Sequence, residues 1–364
     1  MSLQNKRVFL WILSICFLVI IMVLIGGVTR LTGSGLSMVE WKPLMGAIPP
    51  LTHDDWMEVF GKYQTSPQYQ LVNKGMNLAD FQWIFFWEYF HRLIGRLLGV
   101  VFLIPWLFFW IKGYFDRKWA LRFAGGFLLG GLQGLMGWIM VASGLVDKPN
   151  VSHYRLSAHL LLALLILGYF WKLGWQFYSE RKLENKLEDK LEFAKTEVNE
   201  HPVNKRSLVN LKLILNTVLV LLILQIFYGA LVAGLHAGLM YNTFPDMEGQ
   251  FFPLGAWIFK PVWINIFENP ILVQWIHRTL GWIIFLGVFA TFMKCRRAIP
   301  KSLNGLMIGL VAIVSIQFFL GVFTLITQVK LSIAVTHQVG ASTVLLVLLW
   351  LRWEVQKLLR NINI

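Results

Sequence analysis

Residues 83–96 read W-I-F-F-W-E-Y-F-H-R-L-I-G-R, and residues 271–282 read I-L-V-Q-W-I-H-R-T-L-G-W. Each stretch opens a long apolar run, and each places a histidine followed by an arginine at the same depth, with a glycine four residues after the histidine. Such runs, about 20 residues long, recur along the whole chain and match the length needed to cross a bilayer. Hydrophobic residues make up 57% of the 364 and charged residues only 14%. A soluble domain carries about 25% charged residues, so this composition excludes an ordinary globular, disordered or collagenous chain. The expected fold is an all-α integral membrane protein with eight transmembrane helices, arranged as two pseudo-symmetric four-helix bundles. The spans are expected near 8–28, 84–110, 120–142, 156–178, 209–233, 271–293, 304–327 and 332–352.

The charge pattern sets orientation. The net charge is +14, but the basic residues gather in alternate loops, around 112–118, 179–207 and 294–301, and near both termini. That is the positive-inside pattern, which puts both termini in the cytoplasm and gives no reason to expect nucleic acid as a partner. The chain shows neither a cleavable signal nor a transit peptide, and lipid is the expected surroundings. Its two cysteines, Cys16 and Cys295, offer no plausible disulfide or cysteine metal site.

A duplication organises the rest. G-G-V-T-R-L-T-G-S-G-L at 26–36 parallels G-A-L-V-A-G-L-H-A-G-L at 229–239, and Pro49-Pro50 parallels Phe252-Pro253. Gln133 with Gly137 recurs as Gln317 with Gly321, and S-A-H-L at 157–160 as V-T-H-Q at 335–338. The chain divides into an N-terminal half, 1–178, a charged cytoplasmic linker, 179–208, and a C-terminal half, 209–364. Each half holds an even number of spans, so the repeats run parallel, related by an axis along the membrane normal. The outer loops 29–82 and 234–270 are rich in Gly, Pro and aromatics and read as folded caps, with Trp41, Pro43 and Pro49 as candidates to cover a bound group.

His91, His159, His277 and His337 occupy repeat-equivalent places near the outer ends of their spans. Each has a small residue four positions later: Gly95, Ala163, Gly281 and Ala341. That spacing keeps the face below the imidazole clear of bulk, as a flat macrocycle lying against the helix requires. Paired across spans two and four, and six and eight, they would form two bis-histidine haem sites. One histidine alone could equally be a packing residue that hydrogen-bonds across helices. Repetition at one depth favours ligation. A metal site without haem is disfavoured, because no carboxylate or cysteine cluster accompanies either pair. Arg92, Arg96 and Arg278 suit bidentate pairing with haem propionates, against the alternative of snorkelling to headgroups. His53, His153, His201 and His236 fall in loops and read as structural or surface residues. Gly130 and Gly134 read as internal helix packing.

The halves differ at one telling place. Glu88 stands three residues before His91, where Gln274 stands before His277. An ionisable group there is costly and usually functional, so the N-terminal half reads as reactive and the C-terminal half as an electron relay. Two other readings stay open on these residues. One is a di-haem b-type cytochrome that only transfers electrons, and the other is a haem carrier that leaves its cargo unchanged. The Glu88/Gln274 asymmetry discriminates against plain electron transfer.

The segments G-G-V-T-R-L-T-G-S-G-L-S-M-V-E-W-K-P (26–43), N-L-A-D-F-Q-W-I-F-F-W-E-Y-F-H-R-L-I-G-R (77–96) and S-A-H-L resemble the haem A synthase family, in the form shared by alphaproteobacteria and mitochondria. The resemblance covers about 7–352. It implies oxidation of the C8 methyl of haem O to a formyl group, through hydroxymethyl and gem-diol stages with oxygen from water, to supply haem A to cytochrome oxidases. It implies that His91 and His159 hold the iron of the substrate haem O, that His277 and His337 hold a permanent haem b, and that Glu88 is the catalytic residue. Gram-positive relatives carry a cysteine pair in the first outer loop. This loop has none, so no disulfide redox role carries over. Mitochondrial members carry a presequence not seen here, so the resemblance implies a bacterial plasma (inner) membrane as the expected location. A haem O synthase is an expected partner and the electron acceptor is not readable. Homo-oligomerisation is compatible with the sequence but not marked in it.

Overall fold

The computed structural model describes residues 2–40, 48–144, 150–190 and 205–362. Eight helices among them are long and apolar enough to cross a membrane: α1 (Leu3–Leu31), α4 (Leu78–Ile111), α5 (Arg117–Gly144), α6 (His153–Lys190), α7 (Lys205–Gly234), α9 (Pro270–Cys295), α10 (Lys301–Ile326) and α11 (Leu331–Ile362). Short helices α2 (His53–Gln64), α3 (Pro67–Leu71) and α8 (Asn265–Glu268) lie in the outer loops. The chain is a multi-pass membrane protein with the helical architecture its composition demands. Most helices run past the apolar windows expected for them, because polar turns beyond the hydrocarbon still close their own hydrogen bonds. α4 starts six residues early on an Asn77 cap, whose side chain accepts from Asp80 N at 2.9 Å. α11 continues to Ile362 through a Lys357–Glu354 pair at 2.8 Å. The linker expected at 179–208 is helical at both described ends, continuing α6 to Lys190 and opening α7 at Lys205. Residues 191–204, with His201, lie outside the described set, as do Trp41 and Pro43 of the first cap. Pro49 is described and sits in the loop ahead of α2.

The chain forms two compact units, residues 10–170 and residues 1–9 with 171–364. In the larger unit, α7, α9, α10 and α11 pack in a closed cycle of neighbours, α7 on α9, α9 on α10, α10 on α11 and α11 on α7. Arg352 of α11 ties to α7 by donating from both Nε and Nη2 to Asn216 Oδ1, at 2.9 and 2.6 Å. In the other unit α1 lies along α4, joined by Trp11 Nε1 to Val101 O at 2.9 Å and Thr29 Oγ1 to Trp87 O at 3.2 Å.

The described part of the first loop packs as a folded cap, as expected. Phe60 and Tyr63 of α2 bury against Phe81, Ile84 and Phe85, which are the outer turns of α4. α2 begins on a capping box in which Thr52 and Asp55 satisfy each other's backbone N–H groups. Gly33, at φ +67°, takes the left-handed turn that leads α1 into the 3₁₀ turn 34–36, and Gln68 clamps its carbonyl at 2.8 Å. His236 occupies the matching left-handed position before the 3₁₀ turn 237–239. The second outer loop is pinned by Asn265 and Asn269, both fully buried, which bond the backbone at Phe259, Val262 and Gly255.

Two sequence expectations need correction. His53 lies between spans as expected, at the start of α2, but His153 is not a loop residue, since it opens α6. Gly130 and Gly134 are not packing glycines, because a Cβ on either would meet nothing within 4 Å. On the described residues, that stretch of α5 presents its glycines to open space.

Candidate functional site

The four repeated histidines each meet a glycine on a neighbouring helix. An ideal Cβ built on Gly26 of α1 would lie 3.1 Å from His91 Cε1, and one on Gly137 of α5 3.2 Å from His159 Cε1. The corresponding distances are 3.0 Å from Gly229 of α7 to His277 and 2.9 Å from Gly321 of α10 to His337. These contacts are tighter than ordinary van der Waals packing, so each imidazole occupies a slot that only glycine leaves open. The small residues one turn below the histidines also have definite neighbours. A Cβ on Gly95 would lie 3.5 Å from Met22 Cε, and one on Gly281 3.4 Å from Gln225 Nε2. Met22 and Gln225 stand at the same offset before Gly26 and Gly229.

His277 and His337 face each other with ring centroids 6.5 Å apart and planes at 89°. Two imidazoles on one metal, at roughly 2 Å per metal–nitrogen bond plus the ring radii, would put their centroids about 6 Å apart. His277 Nδ1 lies 3.1 Å from Gln225 O, and His337 Nδ1 lies 3.1 Å from Gln317 Nε2. The Gln225 carbonyl accepts from His277 Nδ1, which orients that ring and leaves Nε2 for a metal, whereas the Gln317 amide donates to His337 Nδ1 and to His337 O and so fixes that ring from the opposite sense. Gln225 Nε2 also lies 3.5 Å from His277 Nε2. Among the described residues, no group of three or more His, Cys, Asp or Glu side chains could hold a metal ion. The pair therefore fits a metal that brings its own equatorial ligands, as a porphyrin does.

His91 and His159 are close enough to influence each other electrostatically. Their second shell differs from that of the other pair. Gln133 Nε2 lies 3.2 Å from His159 Nε2 and donates to His159 O at 3.1 Å. Both Nδ1 atoms are buried without a hydrogen-bond partner among the described residues. These rings are slotted but not oriented by an Nδ1 bond.

Glu88 is 3% exposed and carries three donors. Ser37 Oγ and Met38 N both reach its Oε2 at 2.7 Å, and Arg92, one turn along α4, pairs with its Oε1. Arg92 also donates to Met38 O at 3.1 Å and Glu40 O at 3.4 Å. A buried carboxylate is tolerated only when paired and hydrogen-bonded, and this network holds the anion in one orientation against the outer loop. In the C-terminal half the same frame carries a neutral group. Gln274, 2% exposed, donates to Tyr241 O at 2.9 Å, while Arg278 donates to the carbonyls of Tyr241, Thr243 and Asp246 at 2.8 to 2.9 Å. Both arginines are thus engaged in part by loop carbonyls, a use the sequence did not reveal. Arg278 keeps a buried Nε with no hydrogen-bond partner among the described residues and lines a cavity of about 240 Å³ with Trp275, Thr279 and Trp282. Arg96 lies one turn deeper than Arg92 on α4, half-buried.

Sequence reasoning missed Ser37 and Met38, the glycine slots and Arg30. The repeat carried a signal for each of the last two. Gly26, Gly137, Gly229 and Gly321 all stand in duplicated motifs, and Arg30 faces Ala233 in the aligned segments.

A family profile described as cytochrome oxidase assembly protein, COX15-CtaA, matches residues 9–349. A heme A synthase of Nitrosospira multiformis is 42% identical over 356 residues, covering 97% of this chain and 94% of the relative. One from Azorhizobium caulinodans is 40% identical over 346 residues, covering 94% and 92%. One from Wolbachia of Brugia malayi is 39% identical over 335 residues, covering 92% of each.

Proposed function

The chain belongs to the COX15-CtaA family of cytochrome oxidase assembly proteins, and on that premise we propose that it is a haem A synthase, an oxidoreductase that converts the C8 methyl of haem O to the formyl group of haem A. The observation that carries this reading is near full-length similarity to haem A synthases, at about 40% identity. The contrast between buried Glu88 and buried Gln274 supports a division of labour, with chemistry in the N-terminal half.

In this reading His91 and His159 hold the iron of haem O, and His277 and His337 hold a resident haem b. When bound, haem b supplies an iron that accepts and passes single electrons. The Nδ1 contacts hold the His277 and His337 rings in fixed orientations, which suits a permanent group, and the bond to the Gln225 carbonyl leaves His277 Nε2 for the iron. The unbonded Nδ1 atoms of His91 and His159 suit a substrate that must leave as product. Arg92, Arg96 and Arg278 are the candidates for propionates.

Glu88 does the electrostatic work. Taking two electrons and a proton from the substrate methyl leaves a carbon with cationic character. A fixed carboxylate stabilises that charge at no cost in reorganisation, and orients the water that adds to it. A second round gives a gem-diol, which loses water to become the aldehyde. Ser37, Met38 N and Arg92 hold Glu88 as an oriented anion throughout. The electrons pass to an external acceptor. The termini and basic loops lie in the cytoplasm, and haem O arrives from a haem O synthase in the same membrane.

The test is co-expression with a haem O synthase, followed by chromatography of the extracted haems. Haem A must appear only when this chain is present. Haem b alone, with the haem O supply verified, would instead support a di-haem electron-transfer cytochrome.

A further inference from the structure

Arg30 is the one residue of the aligned outer segments where a charged side chain in the N-terminal half stands against an apolar one, Ala233, in the C-terminal half. It lies four residues after Gly26, so both share a face of α1. That face is the one whose glycine meets the His91 ring, and Met22, a turn the other way, touches the Gly95 position of α4. Side chains on a helix lean toward its N-terminus. The long Arg30 side chain therefore reaches back from the outer end of α1 toward the His91 slot. Its Nη2 is buried with no hydrogen-bond partner among the described residues. A buried guanidinium nitrogen without an acceptor is costly, and the planar fork it belongs to is shaped for a carboxylate.

We propose that Arg30 anchors a carboxylate of the porphyrin substrate in the N-terminal half, a contact the C-terminal half lacks by having Ala233. The assignment rests on the reading of that half as the haem O site and names a further contact within it. Arg92 already serves Glu88 and the loop carbonyls, whereas Arg30 offers from α1 a buried guanidinium nitrogen with no partner among the described residues. A carboxylate on Arg30 fixes the porphyrin's rotation about the iron axis, and with it which edge methyl is presented for oxidation.

The experiment uses the detergent-purified, haem b-loaded protein, titrated with haem O and with its dimethyl ester and followed by absorbance. Wild type should bind the free acid more tightly than the diester. Arg30→Ala should weaken the free acid by about tenfold to a hundredfold, as expected for one charge-assisted contact, while leaving diester affinity and haem b content unchanged. Arg30→Lys should recover part of the preference, since an ammonium supplies charge without the fork. Unchanged affinity for both ligands in Arg30→Ala would overturn the assignment and leave the side chain as a snorkelling arginine. Equal loss for acid and diester would overturn it too, because shape rather than charge would then be responsible. A wild type that binds neither ligand yet holds haem b would instead remove the haem O reading of this half, and Arg30 with it.

Discussion

At the scale of single residues, the N-terminal half buries the charge of Glu88 where the C-terminal half buries the neutral Gln274. Glu88 accepts from the loop where Gln274 donates to it, and in each half an arginine four residues on clamps the same loop. The sequence exposed the Glu88–His91 spacing because both lie on one helix turn. It could not expose Ser37 and Met38, which lie 51 and 50 positions away in the chain and reach the carboxylate only through the fold. A hydrogen bond to a charged group contributes about 1.5–3 kcal/mol. Ser37→Ala leaves the Glu88 charge in place but loosens its orientation. Its rate of haem O conversion should fall roughly tenfold or more, with haem b content unchanged, as measured by timed haem extraction. A rate equal to wild type would show that the orientation of Glu88 is not set by this network.

At the scale of elements, the histidine slots depend on glycines from neighbouring helices. Glycine to alanine in a helix interior ordinarily stabilises by about 0.5–1 kcal/mol. At Gly229 that gain should be overridden, because the new methyl would sit 3.0 Å from His277 Cε1, and overpacking of this kind typically costs about 1–3 kcal/mol. Gly229→Ala should therefore lose haem b on purification, read from the reduced absorbance spectrum. Gly287→Ala, on the same helix as His277, should keep it, since a Cβ there meets nothing within 4 Å among the described residues. Equal haem b in both variants would contradict the slot. The sequence showed these glycines in repeated motifs but not their target, because a close approach between helices leaves no mark at either site alone. The same ambiguity misassigned Gly130 and Gly134, where a small-residue spacing exists without a neighbour. In the outer cap, the capping box places Asp55 beside the Thr52 backbone N–H and hydroxyl, which hold its carboxyl below the usual carboxylate range. The cap is thus fully formed above that range and loosens only as pH falls through the lowered value. Thr52→Ala should cost α2 about 1 kcal/mol, seen as faster amide exchange over 53–64 with α4 unaffected.

At the scale of the whole molecule, eight apolar blocks were plain in the sequence because a bilayer imposes one length on every span. The helix ends were less plain, since caps and polar turns extend helices beyond the hydrocarbon where hydropathy falls silent. Loop charges predict an orientation with both termini inside. In a cysteine-free background, Asp54→Cys should react with a membrane-impermeant thiol reagent in cells with a permeabilised outer envelope, and Glu180→Cys only after the plasma membrane is broken. The reverse pattern would invert the topology. The central claim is that chemistry belongs to the N-terminal half and turns on Glu88. The most direct measurement co-expresses wild type and Glu88→Gln with a haem O synthase and separates the haems each protein retains. Wild type should yield haem A with haem b, and Glu88→Gln haem O with the same amount of haem b. Haem A from Glu88→Gln at the wild-type level would contradict the account.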